Sequence, residues 1–134
     1  MEIQVATLCD SAMDYNGKLC VLGTFDTICS RGAPIVHPQC ALALRVCFKS
    51  EDEGQHELAI RFIDADGKTL IGPLQTKINV KLPSDGYFIT RNIVINLQRL
   101  KFEEVGQYSI DISADSEILT QIPLRVMKLE QKQA

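Results

Sequence analysis

The chain has 134 residues, 46% of them apolar and 23% charged, with a formal net charge of -3. That is enough for one domain with a real core, and the composition is that of a globular chain, not a disordered or fibrous one. A net negative surface offers no basic field to a phosphate backbone, and no apolar run approaches the roughly 20 residues that span a bilayer, so neither nucleic acid nor membrane is expected as a partner.

The opening Met1-Glu2-Ile3-Gln4-Val5 lacks a cationic segment followed by an apolar one, so no signal peptide is expected. Five cysteines cannot all pair within one chain, and their spacing forms no tight framework. The expectation is reduced thiols in a cytoplasm, most of them buried as small hydrophobes.

In chain order, the dominant signal is alternation of period two, the mark of half-buried strands. Ile3, Val5, Thr7 and Cys9 share one face of a first strand, and Leu19, Val21, Gly23 and Phe25 one face of a second. Between them, Tyr15-Asn16-Gly17-Lys18 carries the Asn-Gly pair of tight hairpins, while Gly23 suggests a bulge or a close backbone approach. Cys29 to Gln39, with Gly32, Pro34 and Pro38, reads as the longest irregular stretch. Stripes follow at Cys40–Phe48, Leu58–Phe62, Leu74–Leu82, Tyr87–Leu97, Tyr108–Ile112 and Ile118–Val126, separated by Gly54, Asp66-Gly67 and Asp85-Gly86. About eight strands with turns every 8–12 residues predict an all-β fold, an antiparallel β-sandwich over residues 1–128 with a polar tail at 129–134. Tyr108, just after Gly106 and opening a penultimate strand, is placed like the tyrosine corner of immunoglobulin-like domains.

The whole chain resembles a family of small uncharacterised bacterial proteins, a domain of unknown function. The resemblance rests on Val5-Ala6-Thr7-Leu8-Cys9-Asp10, Gly17-Lys18-Leu19, Gly23-Thr24-Phe25-Asp26-Thr27-Ile28 and His37-Pro38. It continues through Arg61-Phe62-Ile63-Asp64, Asp66-Gly67-Lys68, Leu100-Lys101-Phe102, Gly106-x-Tyr108-Ser109-Ile110 and Ile122-Pro123-Leu124. It implies a β-sandwich and brings no activity, ligand or catalytic residue with it. Cys20, Cys29 and Cys47 fall outside its pattern.

Strand reversal sorts the loops. One end collects residues near 14–17, 51–55, 83–86 and 114–117, the other 29–39, 64–73 and 99–106. An eight-residue strand is about 27 Å long, so groups at opposite ends cannot share a site. Asp10 then falls near the first end and His37 near the second. Cys29, His37 and Asp26 could meet as nucleophile, base and orienting carboxylate, although no oxyanion loop or nucleophile elbow accompanies them. His37-Pro38-Gln39-Cys40 has a zinc-like spacing but no second ligand pair. Asp64-Ala65-Asp66-Gly67-Lys68 matches part of a calcium loop without its late Glu, and an Asp-Gly turn explains it. Glu51-Asp52-Glu53, with Asp14, Asp85, Asp115 and Glu117, reads as a solvated rim.

No catalytic, cofactor or metal residue is therefore assigned, and no cofactor is expected. The reading is a non-enzymatic binding or interaction module that presents loops or an edge strand to a protein partner. The candidate binding end carries Asp26, His37, Asp64, Asp66 and Lys68, with Pro34 and Pro38 stiffening its loop. The alternatives are a hydrolase-like enzyme using Cys29, His37 and Asp26, or an assembly subunit that pairs edges. For the Pro34-Ile35-Val36 segment the competing expectation is a short stretch folded back to cover the sheet.

Overall fold

A computed structural model describes residues 1–32 and 34–129. Nine strands run in order: β1 (Glu2–Tyr15), β2 (Lys18–Phe25), β3 (Thr27–Ser30), β4 (Ile35–Phe48), β5 (Gly54–Asp64), β6 (Thr69–Val80), β7 (Ile89–Phe102), β8 (Gly106–Ala114) and β9 (Glu117–Lys128). They form two sheets, β2-β1-β4-β7 and β3-β9-β8-β5-β6. Every pairing is antiparallel except β3 with β9. The alternating apolar positions of both sheets meet between them: Phe48, Phe62, Phe102, Leu42, Leu44, Ile60, Ile110 and Leu124 are all fully buried in one cluster. The β-sandwich expected from the alternation is the fold.

Three expectations are corrected. The stretch 29–39 is not a long loop, because Cys29 and Ser30 belong to β3 and β4 begins at Ile35. Ile35 is buried opposite Phe102, close to the covering segment considered above. Pro38 is tolerated because β1 pairs with β4 only as far as Cys9↔Ala41, so no ladder bond needs its missing N–H. Tyr87 was expected to open a strand, but β7 starts at Ile89 and Tyr87 is 79% exposed. Among the described residues the strands number nine against the expected eight or so, because four-residue β3 carries only one buried apolar side chain, Ile28, too little for a visible period. Lys128 ends β9, and residues 130–134 of the expected tail lie outside the described residues.

The third correction concerns β1. Its first half pairs with β4 up to Cys9, yet the hairpin tip reaches back to the start of the sheet: Arg45, the partner of Val5, donates Nη1 to the Gly17 carbonyl at 3.0 Å. Asn92 Nδ2 donates to Asp14 Oδ2 and to the same carbonyl. The β1–β2 hairpin therefore bends after Cys9 and folds over the outer face of its own sheet. Ala12 and Leu19 cover Cys9, Ala41, Ala43 and Val94 there. Small side chains permit this close approach. At the bend, Gly23 adopts φ +70, and any Cβ on it would meet Asp10 Oδ2 at 2.5 Å, as its expected close backbone approach requires. Asp10 sits at this bend, near enough to Cys40 to raise its thiol, rather than at the end with residues 14–17.

The antiparallel order otherwise sorts the turns as expected. Residues 31, 32 and 34, with 65–68 and 103–105, gather at one end, called here the Tyr108 end. Residues 49–53, 81–88 and 115–116 gather at the other, the Asp52 end.

Candidate functional site

The Tyr108 end is built around the turn from β7 to β8. Leu100 and Phe102 anchor the end of β7 in the core, and the chain then reverses through Glu103-Glu104-Val105. The Tyr108 hydroxyl donates to the Glu104 carbonyl at 2.5 Å and closes the corner. Its ring meets Phe102 edge-on, with centroids 4.9 Å apart and planes at 61°. Burial pushes its phenol up, and the Glu104 carboxylate pushes the same way. Tyr108 is half-buried, not largely buried as a fully internal corner would be.

Two clefts meet on this turn and a third opens beside it at Tyr108. One of about 330 Å³ is lined by Asp26, Thr27, Arg125 and Tyr108. A second, about 320 Å³, lies between Asp64, Asp66, Lys68 and Leu70 and the segment Glu103–Tyr108. The third, about 400 Å³, runs from Ser30 and Gly32 past Glu103, Glu104 and Val105 to Lys128. Val105, 51% exposed, stands where the last two join. Carboxylates outnumber cations around this rim, and Glu103 is itself paired with Lys101 at 3.3 Å.

The predicted site residues divide. Asp26, Asp64, Asp66 and Lys68 all line these clefts. Asp64 is spent on its turn, where its Oδ1 accepts the Asp66 and Lys68 amides at 3.0 and 2.9 Å, which leaves the partial calcium pattern as turn chemistry. The Asp66 and Lys68 side chains make no hydrogen bond among the described residues. Asp26 accepts the Thr27 hydroxyl at 2.9 Å, and Thr27 in turn accepts from Arg125. His37 does not join them. It lies in the other sheet, paired with Leu100 and 5.4 Å from the Phe25 ring, with its Nε2 buried and unpartnered among the described residues.

Among the described residues, no hydrogen bond joins any two of Cys29, His37 and Asp26. Cys29 points to solvent from β3, because its neighbour Ile28 takes the core side. Cys40 is buried in the core, its thiol pushed up to about 11 by burial and by nearby Cys9 and Asp10. No group of three or more His, Cys, Asp or Glu side chains among the described residues is placed to hold a metal ion.

At the Asp52 end the acidic side chains hold turns together. Asp52 accepts the Lys49 amide at 2.9 Å and the Met1 ammonium at 2.8 Å. Burial works against its charge, but those donors prevail and its carboxyl lies below the usual value. Glu53 accepts the Leu82 amide, and Asp14 the Gly17 amide. His56, which the alternation did not single out, is clamped by acceptors on both nitrogens: Asp115 Oδ2 at 2.6 Å and the Asp52 carbonyl at 2.5 Å. An imidazole can satisfy both only as the imidazolium, and the Asp115 bond, seconded by the Asp52 carbonyl, raises its pKa. A concavity of about 620 Å³ lies on the outer face of the second sheet, lined by Glu57, Arg61, Asp111 and Asp115. Two of its carboxylates are engaged: Asp111 accepts from Ser109 and Gln121, and Asp115 from His56 and the Glu57 amide.

Among the described residues no helix is long and apolar enough to cross a membrane. Residues 4–127 match the family described as "Family of unknown function (DUF6941)", and the chain belongs to it. No curated protein shows a significant match to the chain.

Proposed function

We propose that this member of a family of unknown function is a non-enzymatic interaction module, and that its Tyr108 end receives a segment of a protein partner. The observation that carries the reading is the meeting of two clefts at an exposed apolar residue, Val105, with a third cleft opening beside them at Tyr108, within an acidic rim. Such a surface suits a segment carrying an apolar anchor flanked by basic side chains, with the anchor supplying affinity and the charges supplying register. The hydrolase alternative has less behind it, since Cys29, His37 and Asp26 share no hydrogen bond among the described residues and His37 lines none of the three clefts. An immunoglobulin-like reading of the sandwich is supported by the neighbour order β1-β4-β7 and β5-β8-β9 and by the Tyr108–Glu104 bond, which together follow the A-B-E and C-F-G order and tyrosine corner of that fold. A cytoplasmic location remains part of the same proposal, resting on five cysteines that are all unpaired.

Capture from a native lysate tests it. A stoichiometric partner held by the wild-type chain should be lost with Val105→Arg combined with Glu104→Lys, while the unfolding midpoint stays unchanged. A partner retained by that folded variant removes the Tyr108 end from consideration.

A further inference from the structure

We propose that the folded-back β1–β2 hairpin is a self-association surface, on which two copies of this chain pack face to face about a two-fold axis. The surface is separate from the Tyr108 end and does not depend on the reading given to it.

The hairpin has two sides because its side chains alternate. Ala12, Asp14 and Leu19 turn toward the sheet beneath, where Ala12 and Leu19 cover the Cys9 cluster and Asp14 bonds Asn92. Alternation assigns the solvent side to Ser11, Met13, Tyr15, Lys18, Cys20 and Leu22. Met13 is 54% exposed, Tyr15 58% and Leu22 70%. A ribbon that merely capped the sheet would carry polar residues outward, yet this one is apolar on both sides. The tip points along the sheet toward Ile89, the end before which Tyr87 and Phe88 stand 79% and 56% exposed. At roughly 200 Å² per large side chain, the exposed fractions of Met13, Tyr15 and Leu22 come to about 360 Å², and Ser11, Lys18 and Cys20 on the same side enlarge the patch toward the ~500 Å² per partner that a specific interface must clear.

Charge selects a second copy over a charged partner. Lys18 is the single charge on this side of the hairpin, and Asp14 is turned under. Met13 and Cys20 are cross-strand neighbours at the middle of the ribbon, with Tyr15↔Lys18 on one side and Ser11↔Leu22 on the other. A two-fold axis through the Met13–Cys20 pair sets the first row against the second. Tyr15 then meets the small and aliphatic row of the second copy, and Lys18 stays away from its own equivalent. The face is thus self-complementary without like-charge cost, as an isologous contact requires.

Sedimentation of the full chain across roughly 1–100 μM, the weak end for interfaces of this size, should show a concentration-dependent doubling of mass. Leu22→Lys should remain monomeric through that range with an unchanged unfolding midpoint, because Leu22 is 70% exposed in the single chain. In a Cys29→Ser background, a short bis-maleimide should join two copies through Cys20, and Leu22→Lys should abolish the product. A wild-type chain that stays monomeric, a dimer that survives Leu22→Lys, or a dimer that Cys20 cannot cross-link each overturns the proposal.

Discussion

Replacing Tyr108 separates two contributions that meet at the β7–β8 corner. Tyr108→Phe removes the hydroxyl that donates to the Glu104 carbonyl and keeps the ring against Phe102. The net worth of one such bond is about 1 kcal/mol, which for a chain of this length lowers the thermal midpoint by roughly 3–5 °C. Tyr108→Ala also removes the ring. A half-buried tyrosine hides on the order of 100 Å², worth about 2.5 kcal/mol at 25 cal/mol/Å², and the Phe102 edge contact adds about 0.5–1.5 kcal/mol. Because one side of the ring already meets water, the cavity left behind can fill with solvent. With no cavity term added and the hydroxyl's share included, the total loss is about 4–5 kcal/mol, the upper end for an aromatic deletion. Urea denaturation of the three proteins, fitted with a common slope, reads both steps. A Tyr108→Ala midpoint equal to wild type would refute the corner as a structural device. A Tyr108→Phe loss as large as that of Tyr108→Ala would place the whole effect in the hydroxyl and refute the ring's share.

His56 makes stability depend on pH in a defined direction. Its folded pKa is raised by Asp115 and the Asp52 carbonyl, so its contribution is fully present below the ordinary histidine value and is lost as pH rises through the folded value. The difference in thermal midpoint between wild type and His56→Gln should therefore shrink from pH 6 upward; a difference that stays constant would show that the clamp carries no charge. Thiol labelling is the other measurement. Cys20 and Cys29 are exposed and should react in the native state, while buried Cys9, Cys40 and Cys47 should react only on unfolding. Fewer than five labels in denaturant without reductant would reveal a disulfide.

How much of the fold the residues announce depends on how each strand is buried. β5, β8 and β9 pack one face on a common core and leave the other toward water, so their period is plain, as in Ile122, Leu124 and Val126; β4 shows the same period in Leu42, Leu44, Val46 and Phe48 although the hairpin covers Ala41 and Ala43 on its back. β3 escapes the same test because a four-residue strand offers Ile28 alone to the core, and its pairing with β9 rests on backbone bonds that any sequence can make. The bend in β1 escapes for a different reason. Alternation continues unbroken through Cys9, Asp10 and Ser11, and nothing in a period of two says that the face beneath has changed from β4's edge to β4's back. The hint was chemical: Gly23 in mid-strand, and a run of small residues, Ala12, Ala41 and Ala43, whose bulk would otherwise hold the hairpin off the sheet.

The same distinction explains the candidate site. Asp26, Asp64, Asp66 and Lys68 could be grouped because strand reversal alone fixes which turns share an end. His37 could not be placed, since an end contains two sheets and reversal does not say which one a residue faces; its ring went to Phe25 and Leu100 in the opposite layer. Val105 passed unnoticed although an apolar residue between Glu103-Glu104 and Gly106 has no turn to serve. Turn residues chosen for backbone geometry are Gly, Asn, Asp and Pro, so a valine at the tip of one is paying a solvation cost that its own fold does not recover. Under the proposed interaction reading a partner segment would cover it, which is why the test of that reading is placed on Val105 rather than on the histidine or the thiol.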